Sequence, residues 1–431
     1  MKIAFYTLGC KVNQYDTQMM KDVLEANGHT CVPFTEPADF VIINTCTVTG
    51  MSDRKSRQII SRAKQRKKEA GIVVCGCFSQ VASEQVAMIP NVDIVLGTAN
   101  RKDICKYLKD FSENRRQIVA PADLTKKEDL SAESIDSFSE KSRAILKIED
   151  GCRNFCSYCI IPFARGPIRS KTPDAVIREA ARLCENGYRE IILTGIHLAS
   201  YGADLPDTDL CGLLERLDKA VPCRIRLGSL EPNIVTPRFT ETALKCRNLM
   251  PSFHLSLQSG SDTVLARMNR KYTTAEFENA VGLLRSAFPD AAITTDIIVG
   301  FPGETEEEFK QTLSFAERIS FAKIHIFPYS ARQGTKAAAM NVQISPAVKS
   351  EREKRLAIIE QRCRLVFMQK QVGKTVPVLF ERKKDGLWEG HTPNYQTVFT
   401  GSDEDLEKQI RDVRILSLNG QVLDGCLKPQ K

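Results

Sequence analysis

The chain has 431 residues, 42% hydrophobic and 26% charged, the balance of an ordinary globular protein long enough for two or three cored domains. No stretch reaches the ~18 uncharged apolar residues of a membrane helix, and "MKIAFYTLGC" lacks the apolar run and cleavage site of a secretory leader, so a cytoplasmic protein with no membrane partner is expected. A net charge of +8 is compatible with a nucleic-acid partner, and fifteen cysteines in a reducing compartment point to metal ligation or catalysis before disulfides.

Residues 1–112 alternate apolar runs with helical patterns. "KIAFYTLG", "DFVIINT", "GIVVCGC" and "VDIVLGT" read as buried strands; "NQYDTQMMKDVLEANG", residues 52–70 and "FSQVASEQVAMI" read as the helices between them. This predicts an α/β unit with a parallel, Rossmann- or flavodoxin-like sheet. Cys10, Cys46 and Cys77 each finish a strand candidate. Parallel strands share one ligand-binding edge, so three thiols distant in sequence are expected to meet there and hold a metal cluster. The competing reading is three buried cysteines acting as small hydrophobes. Cys75, two residues before Cys77, would share its face in a strand, which leaves its role open.

Residues 113–141 are polar and aperiodic and read as a linker. A second alternating series occupies 142–371, with strand candidates "RAILKIED", "REIILTG", "RIRLGSLEP", "FHLSLQSG", "ITTDIIVGFPG" and "KIHIFPYS". Six βα units fall short of the eight of a full barrel, which predicts a partial (β/α)6 barrel. From 372 to 431 short alternating segments with Gly, Asn and Asp turns predict a small antiparallel β-barrel.

"CRNFCSYC" places Cys152, Cys156 and Cys159 just past the first strand of the second series, at the face where such folds gather active sites. The nearest downstream candidates for a fourth ligand are Cys184 and His197, both beyond that loop. Three thiolates on an iron–sulfur cluster leave one iron open to another ligand. A structural zinc knuckle is the competing reading.

With these motifs the chain resembles the radical S-adenosylmethionine (SAM) superfamily, in which such a triad holds a 4Fe-4S cluster whose free iron binds SAM. The aromatic residue before the last cysteine is Tyr158 here. The resemblance implies SAM contacts at the successive strand ends: Thr194 and Gly195 by backbone, Ser229 and Glu231, Gln258 and Ser259 by side chain, and Gly300 with a Gly303 turn near adenine. Two clusters fit the methylthiotransferase branch, and "TLGCKVNQYDT", "CSYCIIPFARGPIRS", "SLQSGSDTVLARMNR" and "DIIVGFPGET" look most like its MtaB-type tRNA enzymes. That similarity covers nearly the whole chain, the last unit corresponding to the RNA-binding barrel called TRAM. It implies a tRNA anticodon-loop substrate, N6-threonylcarbamoyladenosine, converted to its 2-methylthio derivative with sulfur from the second cluster, and an electron donor of the flavodoxin or ferredoxin type. No general base is nominated, because an unactivated aromatic C–H offers no acidic proton; Asp150 reads as a loop cap. Alternatives are a methylthiotransferase acting on isopentenyladenosine in tRNA or on a ribosomal protein, and a non-catalytic iron–sulfur or zinc RNA-binding protein.

For RNA, residues 54–68 carry eight Lys/Arg and no Asp/Glu, either an RNA-contacting or a merely solvated helix face. Arg165 and Arg169 follow the cysteine loop, to reach the modified base or to pair with carboxylates. The last unit, from Val372, has nine Lys/Arg and nine Asp/Glu, so charge does not mark it, and Trp388 is either core or a stacking platform.

Overall fold

The computed structural model describes residues 1–66, 69–126, 129–138 and 142–429. Among them, β1 (Lys2–Thr7), β2 (Thr30–Val32), β3 (Phe40–Thr45), β4 (Gly71–Gly76), β5 (Ile94–Leu96) and β6 (Ile118–Ala120) form a parallel sheet in the order β2-β1-β3-β4-β5-β6. Its strands are apolar on both faces because both are covered. Ile3, Ile42, Val73 and Ile94 pack into a core continuous with the next unit, and Ala4, Val41, Ile43 and Val74 into a separate one.

Three elements depart from expectation. β2 lies in a stretch given no strand reading and β6 in the stretch read as linker, both being too short to show a period. The supposed linker 113–141 thus supplies β6, and it buries Ile135 and Phe138 in the shared core. The helix expected over 78–89 breaks at Ala82 (φ −138°) into Cys77–Val81 and Ser83–Ala87. The basic stretch lies on the helix Gly50–Arg66, which turns Ile59, Ile60 and Ala63 inward and leaves Arg54, Lys55, Arg57 and Arg62 exposed. Lys67 and Lys68 lie outside the described residues.

The second unit begins with β7 (Arg143–Lys147) and a short antiparallel pair, β8 (Glu149–Asp150) with β9 (Arg169–Ser170). It continues through β10 (Glu190–Thr194), β11 (Arg224–Leu227), β12 (Ser229–Leu230), β13 (Ser252–Leu255), β14 (Ala292–Val299) and β15 (Lys323–Pro328). Parallel pairing gives β7-β10-β11 and β12-β13-β14-β15, a partial barrel from the six predicted segments. The third segment is cut at Gly228, whose N–H bonds Leu193 O at 2.8 Å and where a Cβ would lie 3.0 Å from that oxygen.

Five strands, β16 (Thr375–Lys384), β17 (Leu387–His391), β18 (Thr397–Thr400), β19 (Ile410–Asn419) and β20 (Val422–Leu427), close the final barrel. Its pairs are antiparallel except β18 with β20. Trp388 is buried in its core with Nε1 donating to Glu404 O at 3.0 Å, so the core reading of that residue holds. The barrel docks on the second unit through Arg143–Glu381 (2.7 Å) and through Arg224 and Arg226 donating to Pro377 O and Pro393 O. No helix among the described residues is long and apolar enough to cross a membrane.

Candidate active site

β1, β3 and β4 are neighbours in the first sheet, and each ends beside a cysteine. Cys10 caps the helix Lys11–Ala26, Cys46 follows β3, and Cys77 opens the next helix. A Cβ on Gly9 would lie 2.7 Å from Cys46 Cβ, so only glycine lets the two loops approach this closely. Burial, with the charge of Cys10 behind it, pushes Cys46 up, and burial pushes Cys77 up to about 11, with Cys10 and Cys46 acting in the same direction. Cys75 does not share the face of Cys77. β4 ends at Gly76 (φ +99°), which breaks the alternation, and Cys75 stays fully buried in the apolar core.

In the second unit Cys152, Cys156 and Cys159 crowd the loop after β8. Burial, reinforced by the neighbouring thiols, raises Cys152 to about 11 and Cys159 to about 12. Three thiols held together on one loop, and three at neighbouring strand ends, are the donor sets an iron–sulfur cluster takes. Arg270 Nη1 donates to Cys156 Sγ at 3.1 Å and Asn154 N to Cys152 Sγ at 3.5 Å. Neither candidate fourth ligand is free in the loop: Cys184 sits on the helix Pro173–Glu185, packed into the core with Cys223, and both ring nitrogens of His197 are engaged, Nδ1 with Ser200 and Nε2 with Asn154 and Glu231 at 3.1 Å each.

Of the expected SAM contacts, Thr194, Gly195 and Ser229 line one cavity of about 740 Å³ together with Cys10. Glu231 sits against the cysteine loop, accepting from Asn154 (2.9 Å), Arg270 (2.7 Å) and His197. Tyr158 is half-buried against Val264, Met268, Phe301 and Tyr329. Gln258 takes a left-handed backbone (φ +70°) and bridges β14 through its main chain.

Ser259 is a correction: its Oγ is buried 3.3 Å from Thr312 Oγ1, turned toward the outer helix Glu306–Ile319, and presents no free group to a ligand. Gly300 follows β14 with its N–H donated to Glu304 at 2.7 Å, leaving its expected role near adenine open. Arg165 and Arg169 are also corrected as base-contacting residues. Arg165 is fully buried, bonding Asp16 and Asp150 at 3.0 Å, Asn13, and Cys77 Sγ at 3.3 Å. Arg169 is buried and donates to Arg165 O at 2.9 Å. Both position other groups instead. Asp150 caps the Gly151 N–H (2.9 Å) as expected and also joins this ion cluster.

Sequence reasoning missed Arg270, whose only signal was its place within "ARMNRKY", and Glu149. Glu149 Oε2 accepts from His197 N at 2.7 Å, while Oε1 is buried without a partner among the described residues. A Cβ at Gly195 would strike this carboxyl. Burial first, then Asp150, pushes Glu149 well above the usual carboxylate range. That unsatisfied acceptor beside the Cys152, Cys156 and Cys159 loop suits a cationic group such as an ammonium.

Residues 2–97 match the model of uncharacterized protein family UPF0004, and 146–316 that of the radical SAM superfamily. The chain is 39% identical to the threonylcarbamoyladenosine tRNA methylthiotransferase MtaB of Bacillus subtilis, over 96% of this chain and 93% of that protein. It is 36% identical to the Thermotoga maritima protein of the same name, over 97% and 95%. A tRNA-2-methylthio-N(6)-dimethylallyladenosine synthase of Staphylococcus haemolyticus is 36% identical over 96% of this chain and 83% of that protein. Among solved structures, the radical SAM methyltransferase TsrM of Kitasatospora setae, with cobalamin and a 4Fe-4S cluster, shares the fold: TM-score 0.58 at 15% identity, covering 78% of this chain and 77% of that one. The chain belongs to the MtaB family of radical SAM methylthiotransferases.

Proposed function

We propose that this protein is a cytoplasmic tRNA-modifying enzyme that converts N6-threonylcarbamoyladenosine in the anticodon loop to its 2-methylthio derivative, drawing electrons from a flavodoxin- or ferredoxin-type donor. One observation carries the reading beyond family membership. Cys10, from the first triad of the chain, lines the same cavity as Thr194, Gly195 and Ser229, at the strand ends beside the second. A base held there would sit against Cys10 and the ends of β10 and β12.

Cys152, Cys156 and Cys159 would hold a 4Fe-4S cluster, which with SAM supplies hydrogen abstraction from a carbon without an acidic proton; Cys10, Cys46 and Cys77 would hold the second cluster, the source of sulfur. The chain's own residues position and shield. Glu231 fixes Arg270, Asn154 and His197 as one hydrogen-bonded set around the cysteine loop. Arg270 and Arg165 each direct an N–H at one thiol. The final barrel closes the cavity with Asn394, Tyr395 and Thr397, helping to exclude water.

Deleting the gene tests the reading. 2-Methylthio-N6-threonylcarbamoyladenosine should vanish from bulk tRNA nucleosides while its unmethylthiolated precursor accumulates. An unchanged nucleoside profile, in a cell with no second enzyme of this kind, refutes it. Anaerobically reconstituted protein should carry about eight irons per chain, for two four-iron clusters, and release deoxyadenosine from SAM under reductant.

A further inference from the structure

We infer that Lys11 is the receptor for the carboxylate on the substituent of the target adenine, which makes it a specificity-determining residue; the inference rests on the substrate proposed above. A threonylcarbamoyl group ends in a carboxylate, whereas the dimethylallyl group in the names of other relatives is apolar. Something in the cavity must tell them apart.

Lys11 opens the helix Lys11–Ala26 and lines the cavity directly after Cys10. Its ammonium has no carboxylate within ion-pair distance among the described residues. The buried carboxylate Glu190 is committed elsewhere, held by Arg226 through two bonds of 2.9 Å and by Arg143 at 3.8 Å. The helix N-terminus adds partial positive charge at the same place.

The rest of the wall points the same way. Arg226, Lys323 and Arg364 line the cavity, and the acidic residue among the described lining is Asp296, which His254 Nε2 faces at 3.2 Å. An anion entering this space gains from every uncompensated cation; an apolar group would leave Lys11 desolvated without a partner. The ligand atoms of His254, Asp296 and His325 lie within 4.8 Å of one another, a set that would otherwise suit a divalent cation. Lys323 and Lys11 both act on His325 as cations, and they oppose that occupant.

The test measures equilibrium binding of anticodon stem-loops to the full-length protein, a readout independent of turnover. The stem-loops carry N6-threonylcarbamoyladenosine, its carboxylate methyl ester, the dimethylallyl derivative, or plain adenosine. Lys11→Met should weaken binding of the carboxylate form by about tenfold to a hundredfold, as expected for a charged hydrogen bond. It should leave the ester and plain adenosine unchanged, and Lys11→Arg should retain most of the preference. Equal weakening of all four stem-loops would make Lys11 a backbone contact and overturn the inference, as would no change. A carboxylate preference that survives Lys11→Met but needs added zinc or manganese would overturn it in favour of a cation at His254, Asp296 and His325. Failure of the substrate reading looks different: wild-type protein would then not prefer the carboxylate form at all, and the inference would fall with it.

Discussion

Arg165 Nε donates to Cys77 Sγ at 3.3 Å, a bond from the helix that follows one cysteine triad to a member of the other. The same guanidinium bonds Asp16 and Asp150, and Asp16 is bonded in turn by Arg101 and Lys147 at 2.7 Å each, every one of these groups buried. An ion cluster sealed between two units resists rearrangement, because separating any pair strands a charge away from water.

Arg165→Met should therefore lower stability by about 3–5 kcal/mol, the range for removing one partner of a buried ion pair, visible as a lower denaturation midpoint. Arg165→Lys keeps the charge but loses the N–H to sulfur. It should fold, and the electron paramagnetic resonance of the cluster at Cys10, Cys46 and Cys77 should change while that at Cys152, Cys156 and Cys159 does not. Unaltered spectra for both would remove Arg165 from any role at the sulfur.

Cys10 and Cys75 make opposite predictions. Cys10→Ala removes a ligand at the cavity wall, so iron should drop to about half, four per chain for one remaining cluster. SAM cleavage should continue while sulfur insertion stops. Cys75→Ala trims a core side chain and should cost about 1 kcal/mol with iron content unchanged. Sulfur insertion by Cys10→Ala protein would refute the role of the first triad.

The contrast between these two cysteines shows what sequence could convey. Period and strand ends are local properties, so six barrel segments, both cysteine triads and the sheet edge that gathers the first of them were legible. The fate of Cys75 depended on Gly76 ending the strand one residue early, which no alternation pattern records. Arg165 and Arg169 sit where an RNA contact was expected, yet the Arg165 partners Asp16, Asn13 and Cys77 come from more than 80 residues away in the chain. Arg270 was illegible for the same reason: its bonds to Cys156 and Glu231 arise only on folding. Ser259 looks like a ligand contact in one dimension, but its side chain turned toward the outer helix.

The docking of the final barrel should be acid-sensitive. Glu381 bonds His391 and Arg143, Glu190 bonds Arg226, and these partners overcome burial to lower both carboxyl pKa values. A depressed folded-state pKa gives stability that is complete above the unfolded value, about 4.3 for Glu, and is lost as pH falls toward the folded value. Trp388, the one tryptophan in the chain, reports from inside this barrel. Its emission should redshift on acidification below about pH 4, and Glu381→Gln should lessen the dependence on pH. A barrel equally stable in acid and at neutral pH would contradict the assigned role of these carboxylates.

The helix Gly50–Arg66 offers the last test. Its apolar side is anchored by Ile59, Ile60 and Ala63, while Arg54, Lys55 and Arg62 face solvent without an acidic partner among the described residues. Exposed cations in such a row attract a phosphate backbone and release counterions from it, so their contribution must appear in the salt dependence of binding. Changing Arg54, Lys55 and Arg62 together to Gln should leave folding intact, since none is buried. If all three pair with phosphates, the slope of log affinity against log salt for tRNA should fall by about 2–3, near 0.9 for each phosphate no longer neutralised. SAM cleavage without tRNA should be unaffected. An unchanged slope would mark the row as a solvated helix face and shift the search for the RNA path to the rim of the cavity near Tyr395, whose ring lies under Arg143 and Arg226 at 4.9 and 4.5 Å.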